Sequence, residues 1–340
     1  MSQLGLFDLE RRYESLSRCQ DPLETLQKAV NFEMFRPLLR KLRDRERKSL
    51  AGRKPYDEVL MFKVLVLQRL FNLSDHQIEF QIRDRLSFMR FLGLHVEKQV
   101  PDEKTVWLFR EELTRQGLVE ELFSRFERFL TRAGYKAKEG SIVDATMVAV
   151  PRQRNTKEEN DAIKQGEVPD SLADNEHVLR QKDLDARWTK KHDQSYYGYK
   201  NHVRVDAKHK LIREWSATSA EVHDSRCLDA VTHRVRRGEA LYADSAYEDE
   251  RKEEALRKRG LHPMFCVKGK RNHPLTEVLK TWNKLVAQTR ARVEHVFGFM
   301  ENSMRGKYLH YIGMARNRAA IGMMNLVYNL CRYRQLPPAT

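Results

Sequence analysis

Cysteine pairs are the first feature that this sequence lacks. It contains only four cysteines, and they lie far apart at Cys19, Cys227, Cys266 and Cys331. No two of them form a CxxC pair, which excludes a zinc ribbon, and their spacing does not support a disulfide framework. We therefore expect reduced thiols, as in a cytosolic protein.

Long apolar runs are also missing. The most apolar stretch, residues 59–71, is short and carries Lys63 and Arg69. A membrane-spanning helix needs about 20 consecutive, mostly apolar residues. The first residues, MSQLGLFDLERR, have no charged start followed by an apolar stretch, so they do not resemble a secretory signal. We expect a cytoplasmic protein with no membrane partner.

Acidic residues are too few to balance the basic ones. Lys and Arg number 63 against 48 Asp and Glu, which gives a net charge of +15. Such an excess predicts a polyanionic partner, and nucleic acid is the leading candidate. An anionic membrane surface and acidic proteins are the alternatives, although no basic amphipathic anchor is apparent.

The first part of the chain, residues 1–138, is predicted to be helical. Apolar residues recur at helical spacing around residues 60–71, Ser74 is a candidate N-cap, and Gly93 is a candidate helix end. Further helices are expected at about 102–113 and 119–131. Short helices with the basic residues Arg83 and Arg85 allow a helix-turn-helix motif. An ordinary helical bundle with solvated charges is the alternative.

The second part alternates strands and helices. The 340 residues of the chain suit two domains, and the pattern changes at about residue 139. Residues 152–187 are polar without a steady period, and we interpret them as a mobile insertion. We predict strands at 141–150, 198–205, 211–217, 240–244 and 261–267, the last starting after Pro263, and helices at 225–237, 248–259, 278–300 and 315–333. This order is that of an RNase H-like α/β fold.

Two aspartates lie in apolar strand contexts, Asp144 within Ile-Val-Asp-Ala-Thr and Asp244 at the end of Ala-Leu-Tyr-Ala-Asp. A carboxylate in or beside a buried strand loses hydration energy unless it is paired or binds a cation. A partner arginine or an N-cap role is the alternative. A third acid, Glu294, lies four residues after Arg290, and on a helix this spacing also suits a surface ion pair.

Three converging carboxylates would form a hard-oxygen site of the kind that Mg²⁺ prefers. Two such ions can activate a water or a 3′-hydroxyl and stabilise the leaving oxygen in phosphoryl transfer. A basic protein around an acidic centre fits DNA as the substrate. Lys and Arg would hold the backbone, and the carboxylates would hold the metal.

These residues lie in motifs that resemble bacterial insertion-sequence transposases of the IS-five class. The matching pieces occur in order along nearly the whole chain: Val143-Asp144-Ala145-Thr146, the block from Asp185-Ala186-Arg187-Trp188 to Tyr199-Lys200-Asn201-His202, Val222-His223-Asp224-Ser225, Asp244-Ser245-Ala246-Tyr247, and Arg290 to Glu294 with the following His295-Val296-Phe297-Gly298. Residues 53–94 resemble the helical DNA-binding region of that family. All of these motifs in order indicate this family much more specifically than any single motif does.

The resemblance implies a DDE transposase. It implies an RNase H-like α/β catalytic domain over 139–334, a helical DNA-binding and oligomerisation domain over 1–138, and a tail at 335–340. Asp144, Asp244 and Glu294 would be the catalytic residues and the ligands of two Mg²⁺ ions, for which Mn²⁺ is expected to substitute. Expected DNA contacts are Arg83, Arg85, Lys200, Lys268, Lys270, Arg271, Arg290 and Arg305.

The implied activity is cleavage at the ends of an insertion element and joining of the 3′-hydroxyls to target DNA. The protein would recognise terminal inverted repeats and act as a homodimer or higher oligomer in the bacterial cytoplasm, associated with the nucleoid. A different RNase H-like nuclease, such as a resolvase, is one alternative. An impaired or domesticated transposase that only binds DNA is another.

Two positions depart from the family pattern. Ala287 stands where the family often has Tyr, and Glu301 stands where it usually has Lys or Arg. On a continuous helix, Glu301 would lie on the face of Glu294 and repel a DNA phosphate near the cut. Arg305, one turn further along, is a candidate to replace the missing cation.

Binding of DNA is expected to weaken steeply with salt, because each phosphate that Lys or Arg neutralises releases a counterion. A protein with six or more phosphate contacts loses about 1000-fold in affinity between about 50 and 200 mM salt. Titration of a labelled DNA end over this range measures the slope. A salt-independent affinity would contradict the inference from the net charge.

Overall fold

The computed structural model describes residues 8–43, 54–95, 97–191, 193–269 and 273–338. The chain forms two compact units. One comprises the described residues up to Phe126 together with Leu326–Pro338, and the other comprises Glu127–Asn325. The first unit thus includes a C-terminal segment that the sequence suggested for the catalytic domain. Within it the rings of Phe126 and Tyr333 meet edge to face at 6.0 Å.

The first unit is helical. Its α-helices are α1 Asp8–Arg18, α2 Pro22–Ala29, α3 Arg36–Leu39, α4 Glu58–Leu70, α5 Asp75–Asp84, α6 Leu86–Leu92, α7 Glu103–Arg115 and the start of α8 Leu118–Arg132. Short 3₁₀ helices cover Phe32–Phe35 and Arg40–Arg43. In its core the ring centroid of Phe32 lies 6.3 Å from that of Phe62 and 5.5 Å from that of Phe91, and the centroids of Phe35 and Phe62 are 4.8 Å apart.

Helix boundaries in this unit follow local sequence signals. Ser74 caps α5 in a reciprocal capping box with Gln77, and Asp102 caps α7. Gly93 ends α6 with φ 72°, a conformation that favours glycine. Helices α4 and α5 are separated by residues 71–74, a turn length that fits a helix-turn-helix motif. Between α5 and α6 only Arg85 intervenes, which is too short for such a turn.

The second unit combines helices with a sheet of six strands. The strands are β1 Ser141–Ala149, β2 Arg187–Lys191, β3 Gln194–Asp206, β4 Ile212–Ser219, β5 Ala240–Ala243 and β6 His262–Phe265. The helices are the end of α8, then α9 Lys157–Gln165, α10 Asp170–Ala173, α11 Glu176–Leu179, α12 Leu228–Thr232, α13 Glu250–Lys258, α14 Glu277–Arg290, α15 Glu294–Gly298 and most of α16 Met314–Arg334.

Strand β1 is the centre of the sheet. It pairs antiparallel with β3 on one side and parallel with β5 on the other, and β5 pairs parallel with β6. The far edge of β3 pairs with β2 along its first residues and with β4 along the rest. Three antiparallel strands followed by two parallel ones, with helices between them, form the RNase H-like α/β core that the sequence predicted.

The interior on one side of the sheet is apolar. Val143, Leu241 and Ala243 pack against Leu228, Val231 and Tyr247 from the connecting segments. Burial of such side chains stabilises the fold by about 25 cal/mol for each Å² of apolar surface removed from water. This packing fixes β1 against β5, the two strands that carry the aspartates identified in the sequence.

The segment 152–187, which the sequence analysis interpreted as a mobile polar insertion, has regular structure, and its mobility stays a prediction. It contains α9, α10 and α11, and it also leads into β2, which the sequence analysis missed. Thr156 and Glu159 form a capping box at the start of α9, and Ile163 and Leu172 are buried. These short amphipathic turns bury only single apolar side chains, so they leave a weak periodic signal.

Three further elements differ from the predictions. The helix expected at 225–237 consists of a 3₁₀ turn, Asp224–Cys227, and the short α12. The helix expected at 278–300 is interrupted by a 3₁₀ turn, Ala291–Val293, and passes into a π-helical turn, Phe299–Ser303. Pro263 lies inside β6 rather than before it, which is possible because β6 is an edge strand.

No helix in the described part of the chain is long and apolar enough to cross a membrane.

Gly198 is required where β3 passes β1. Its φ is 144°, and a Cβ atom there would lie 2.4 Å from the carbonyl oxygen of Val148. Gly198→Ala is therefore expected to lower the free energy of unfolding by about 2–4 kcal/mol, measured by urea denaturation.

Gly166→Ala is the matched control, because Gly166 also has a positive φ, 81°, but open space around it. It should lower the free energy of unfolding by only about 1 kcal/mol, the conformational part of the penalty. Equal losses in both variants would contradict a steric role for Gly198.

Candidate active site

The register of the sheet brings Asp144 and Asp244 together. In the parallel pairing of β1 with β5, Ile142 lies opposite Tyr242, so two residues further on Asp144 and Asp244 come side by side. Neighbouring strands are about 4.8 Å apart. Asp244 directly follows the last residue of β5, where the strand ends and its side chain is partly open to solvent.

Each aspartate has one oxygen fixed by the backbone that follows it. The amide of Ala145 donates to Oδ1 of Asp144 at 2.7 Å, and the amide of Ala246 donates to Oδ1 of Asp244 at 2.9 Å. In the second case Asp244 caps the 3₁₀ turn Ser245–Tyr247. The local turns thus orient both carboxylates and leave both Oδ2 atoms for another partner.

That partner is Arg290, the last residue of α14. Its Nη2 donates to Oδ2 of Asp144 at 3.1 Å and lies 4.0 Å from Oδ2 of Asp244. Burial opposes the charge of the guanidinium, but the two aspartates outweigh this effect and raise the pKa of Arg290 above its ordinary value. Arg290 was predicted as a DNA contact, with an ion pair to Glu294 as the alternative, and in this structure it bonds to Asp144 and lies close to Asp244.

Asp144 is the most perturbed carboxyl group of the site. Burial raises its pKa to about 6, and the nearby charge of Asp244 adds to the rise, whereas Arg290 and the Ala145 amide counteract it. A buried carboxylate with this pKa gains from any additional cation beside it.

Glu294 does not join the two aspartates. It is the exposed first residue of α15 and makes no hydrogen bond or ion pair with any residue that the structure describes. The turn Ala291–Val293 before it is 3₁₀, which winds more tightly than an α-helix. Arg290, four residues before Glu294, bonds to Asp144 instead.

A cation site can be tested against these donors. Asp144 and Asp244 each direct an Oδ2 atom at the same positive group, Arg290. Such a pair of carboxylate oxygens fits a divalent cation that prefers hard-oxygen ligands. Across the described ranges, no group of three His, Cys, Asp or Glu side chains is close enough to hold a metal ion. The arrangement thus provides two of the three predicted ligands, and the three-residue site stays a prediction.

Lys200, a predicted DNA contact, lies inside the unit. Its ammonium group donates to the carbonyl of Val222 at 2.7 Å and pairs with Asp224 at 2.9 Å, and its side chain is 9% exposed. This corrects the prediction, because the charge is neutralised and turned away from solvent. His202 of the same sequence block is a buried core residue bonded to Thr218, and burial lowers its pKa to about 4.

Tyr247 also belongs to the packing rather than to an open surface. Its ring is buried in the apolar cluster beneath β1 and β5. Burial raises its pKa well above the ordinary value, and the charges of Asp144 and Asp224 add to this effect.

Glu301 does not act as an isolated carboxylate. It pairs with Lys307 at 2.7 Å, so the expected repulsion of a phosphate is reduced. Arg305 lies beyond the π-helical turn with φ 49°, outside the helix. It is exposed, but the prediction that it continues the face of Glu294 is wrong, because the helix ends before it.

The remaining predicted DNA contacts have different surroundings. Lys268 is exposed after β6, whereas Lys270 and Arg271 lie outside the described residues. In the first unit, Arg83 pairs with Glu79 and Arg85 lies over the rings of Phe71 and Phe88. Among the residues that the structure describes, no partner binds the ammonium group of Lys268, although its backbone amide donates to Glu248.

Comparison with known protein families agrees with this geometry. Residues 135–330 match the family model described as Transposase DDE domain. The chain belongs to the DDE transposase family. Residues 11–112 match a second model, described as Transposase domain (DUF772). Together the two matches support an insertion-sequence transposase, and they are consistent with the IS-five class.

A solved structure is also similar to the transposase chain. The cryo-EM structure of the piggyBac transposase synaptic complex with hairpin DNA matches with a TM-score of 0.47 and 12% identity. The match covers 92% of this chain and 74% of that one. The family assignment does not depend on this similarity.

The raised pKa of Asp144 predicts how stability changes with pH. Burial raises the pKa of its carboxyl group to about 6 in the folded protein, whereas this pKa has its ordinary value of 3.8 in the unfolded chain. The folded state therefore holds this proton more tightly, so the contribution of Asp144 is most favourable below about pH 4 and is lost as pH rises through 6.

In the presence of a metal chelator, the free energy of unfolding of the wild type minus that of Asp144→Asn should fall by about 3 kcal/mol between pH 4 and pH 7. Urea denaturation of both proteins at each pH measures this difference. A difference that stays constant with pH would contradict the buried, high-pKa state of Asp144.

Proposed function

We propose that this transposase binds the terminal inverted repeats of an insertion element, cleaves the DNA at the element ends and joins the 3′-hydroxyl ends to target DNA. The observation that carries the proposal is the convergence of Asp144 and Asp244 on one cation, Arg290, at the carboxyl end of β5. The family and the net charge of +15 support DNA as the substrate.

The three acidic residues would each contribute to a divalent-cation site. Asp144 and Asp244 would hold divalent cations through their Oδ2 atoms, because Ala145 and Ala246 already fix the Oδ1 atoms. Glu294 would complete the site once its exposed side chain turns toward them. When bound, Mg²⁺ or Mn²⁺ supplies Lewis-acid stabilisation and an oxygen nucleophile of lowered pKa.

Arg290 has two successive roles in this proposal. Without a metal it neutralises the aspartates at 3.1 and 4.0 Å. With their oxygens engaged elsewhere, its guanidinium is free to bind the phosphate under attack in a bidentate manner. Lys268 would contact the DNA backbone nearby. The helical first unit, with Arg83 and Arg85, would contribute most of the recognition of the repeats, and two ends would require a dimer or higher oligomer.

A DNA-binding protein without catalysis is the second candidate. One observation favours it: Glu294 stands apart from Asp144 and Asp244. Wild-type protein that binds an element end but yields no product would support this candidate.

Strand transfer tests the proposal directly. A labelled element end is incubated with Mg²⁺ and supercoiled target DNA, and the joined product is compared for wild type and Asp244→Asn. Loss of a carboxylate that stabilises the transition state through a metal should cost on the order of 100- to 1000-fold in rate.

Asp229→Asn is the matched control, because Asp229 is an exposed aspartate of the same unit that forms no ion pair with a described residue. It should retain wild-type activity. Equal activity of Asp244→Asn and Asp229→Asn, with end binding intact in both, would contradict the assigned role of Asp244.

A further inference from the structure

A two-stranded hairpin extends beyond the central strand of the sheet. Strand β1 pairs with β3 only from Gly198 onward, whereas β2 pairs with the preceding residues of β3, Gln194 to Gly198. The guanidinium of Arg187 anchors the base of this hairpin by donating to the carbonyls of Leu184 and Ile163, both at 2.6 Å. The hairpin is therefore held in place although it lies past the end of β1.

An exposed aromatic side chain occupies this hairpin. Trp188 lies opposite the buried Tyr197, with ring centroids 5.1 Å apart, yet 46% of Trp188 remains exposed. The guanidinium of Arg152 lies 5.4 Å from the centroid of its ring. Such an aromatic surface beside a cation suits a partner that has both a π-face and a negative charge.

The charges around Trp188 are mostly positive. Arg152 and Lys191 are exposed, and neither forms an ion pair with a residue that the structure describes. Lys190 pairs with Asp193 at 3.0 Å, but both side chains are largely exposed, so this pair is weak and open to competition. A nucleic-acid strand combines stacking bases with phosphates and matches this surface.

The sheet register relates Trp188 to the candidate active site. Residues paired across strands project to the same face, and alternate residues of one strand do as well. Asp144 pairs with Val203, and Trp188 pairs with Tyr197. Val203 and Tyr197 are an even number of residues apart on β3, and no register shift lies between them. Trp188 and Asp144 therefore lie on the same face of the sheet.

Their separation follows from the strand length. The amide of Val150 donates to the carbonyl of Tyr197, so Trp188 lies about six strand residues, or roughly 20 Å, beyond Asp144. Bases along one strand of B-DNA are about 3.4 Å apart, so roughly 20 Å corresponds to at least about six nucleotides. The sheet face between the two residues is covered by the protein itself, because Tyr199 bonds to Asp183 and Asn201 bonds to Asn325, so DNA has to pass around it.

We propose that Trp188 stacks on an unstacked base of the bound DNA, at least about six nucleotides from the phosphate that is cut, with Arg152 on the adjoining phosphate. This inference rests on the proposed function, since it places the contact on the DNA that the aspartates act on. Insertion of the hairpin into the groove of an intact duplex is the competing mode.

2-Aminopurine, whose fluorescence changes when it unstacks from its neighbours, tests the proposal. Duplexes from the element end carry it singly at nucleotides 2–16 from the cut. They are mixed with the Asp244→Asn protein in Ca²⁺, so that binding is read without cleavage. A fluorescence change at or beyond about nucleotide six is expected. The change should be absent with an added Trp188→Ala change and retained with Trp188→Phe. Trp188→Ala should weaken end binding about 5- to 150-fold.

Trp107→Ala is the matched control, because Trp107 is similarly exposed, 42%, but lies on α7 of the first unit. It should leave the position of the fluorescence change unaltered. Thermal melting verifies that each variant is folded.

The outcomes separate the two proposals. No Trp188-dependent change at any position, with end binding intact, overturns the stacking role, and a weakened affinity without fluorescence change points to groove insertion. If wild type gives no strand transfer while the stacking signal is present, only the catalytic proposal fails. No binding of the end by any variant overturns both.

Discussion

The parallel pairing of β1 with β5 is the constraint on which the candidate site depends. It places Asp144 and Asp244 side by side at the end of a buried strand pair, where two negative charges cannot stay without a cation. The apolar packing of Val143, Leu241 and Ala243 beneath them holds the pair in register. The core that stabilises the fold therefore also holds two carboxylates close together, and their repulsion has to be offset by a positive charge.

Arg290 supplies this positive charge in the described structure. Its guanidinium lies at 3.1 Å from one aspartate and 4.0 Å from the other, and the pKa of Asp144 still rises to about 6. One arginine thus compensates only part of the cost of burying the carboxylate. The incomplete compensation explains why this pair of acids is suited to bind further positive charge, whereas the fully bonded Arg204–Glu214 pair of the same unit is structural.

The residues of the proposed site lie on separate elements. Asp144 lies within β1 and Asp244 directly follows β5, whereas Trp188 lies on the same face as Asp144, beyond the end of β1. Helix α14 brings Arg290 to the aspartates, and Glu294 follows after the 3₁₀ turn Ala291–Val293. The proposed activity requires Glu294 to approach the aspartates, so this turn is the element whose conformation matters most for it.

The sequence by itself determined the α/β class, most strands and helices, and the aspartates, because apolar periodicity and acids in buried strands are local signals. It also identified the family. Only the tertiary structure decided that Arg290 pairs with Asp144 rather than Glu294 and that Lys200 is buried against Asp224. Local spacing could not reveal either contact, because ion-pair partners and strand register depend on which distant segments the sheet brings together.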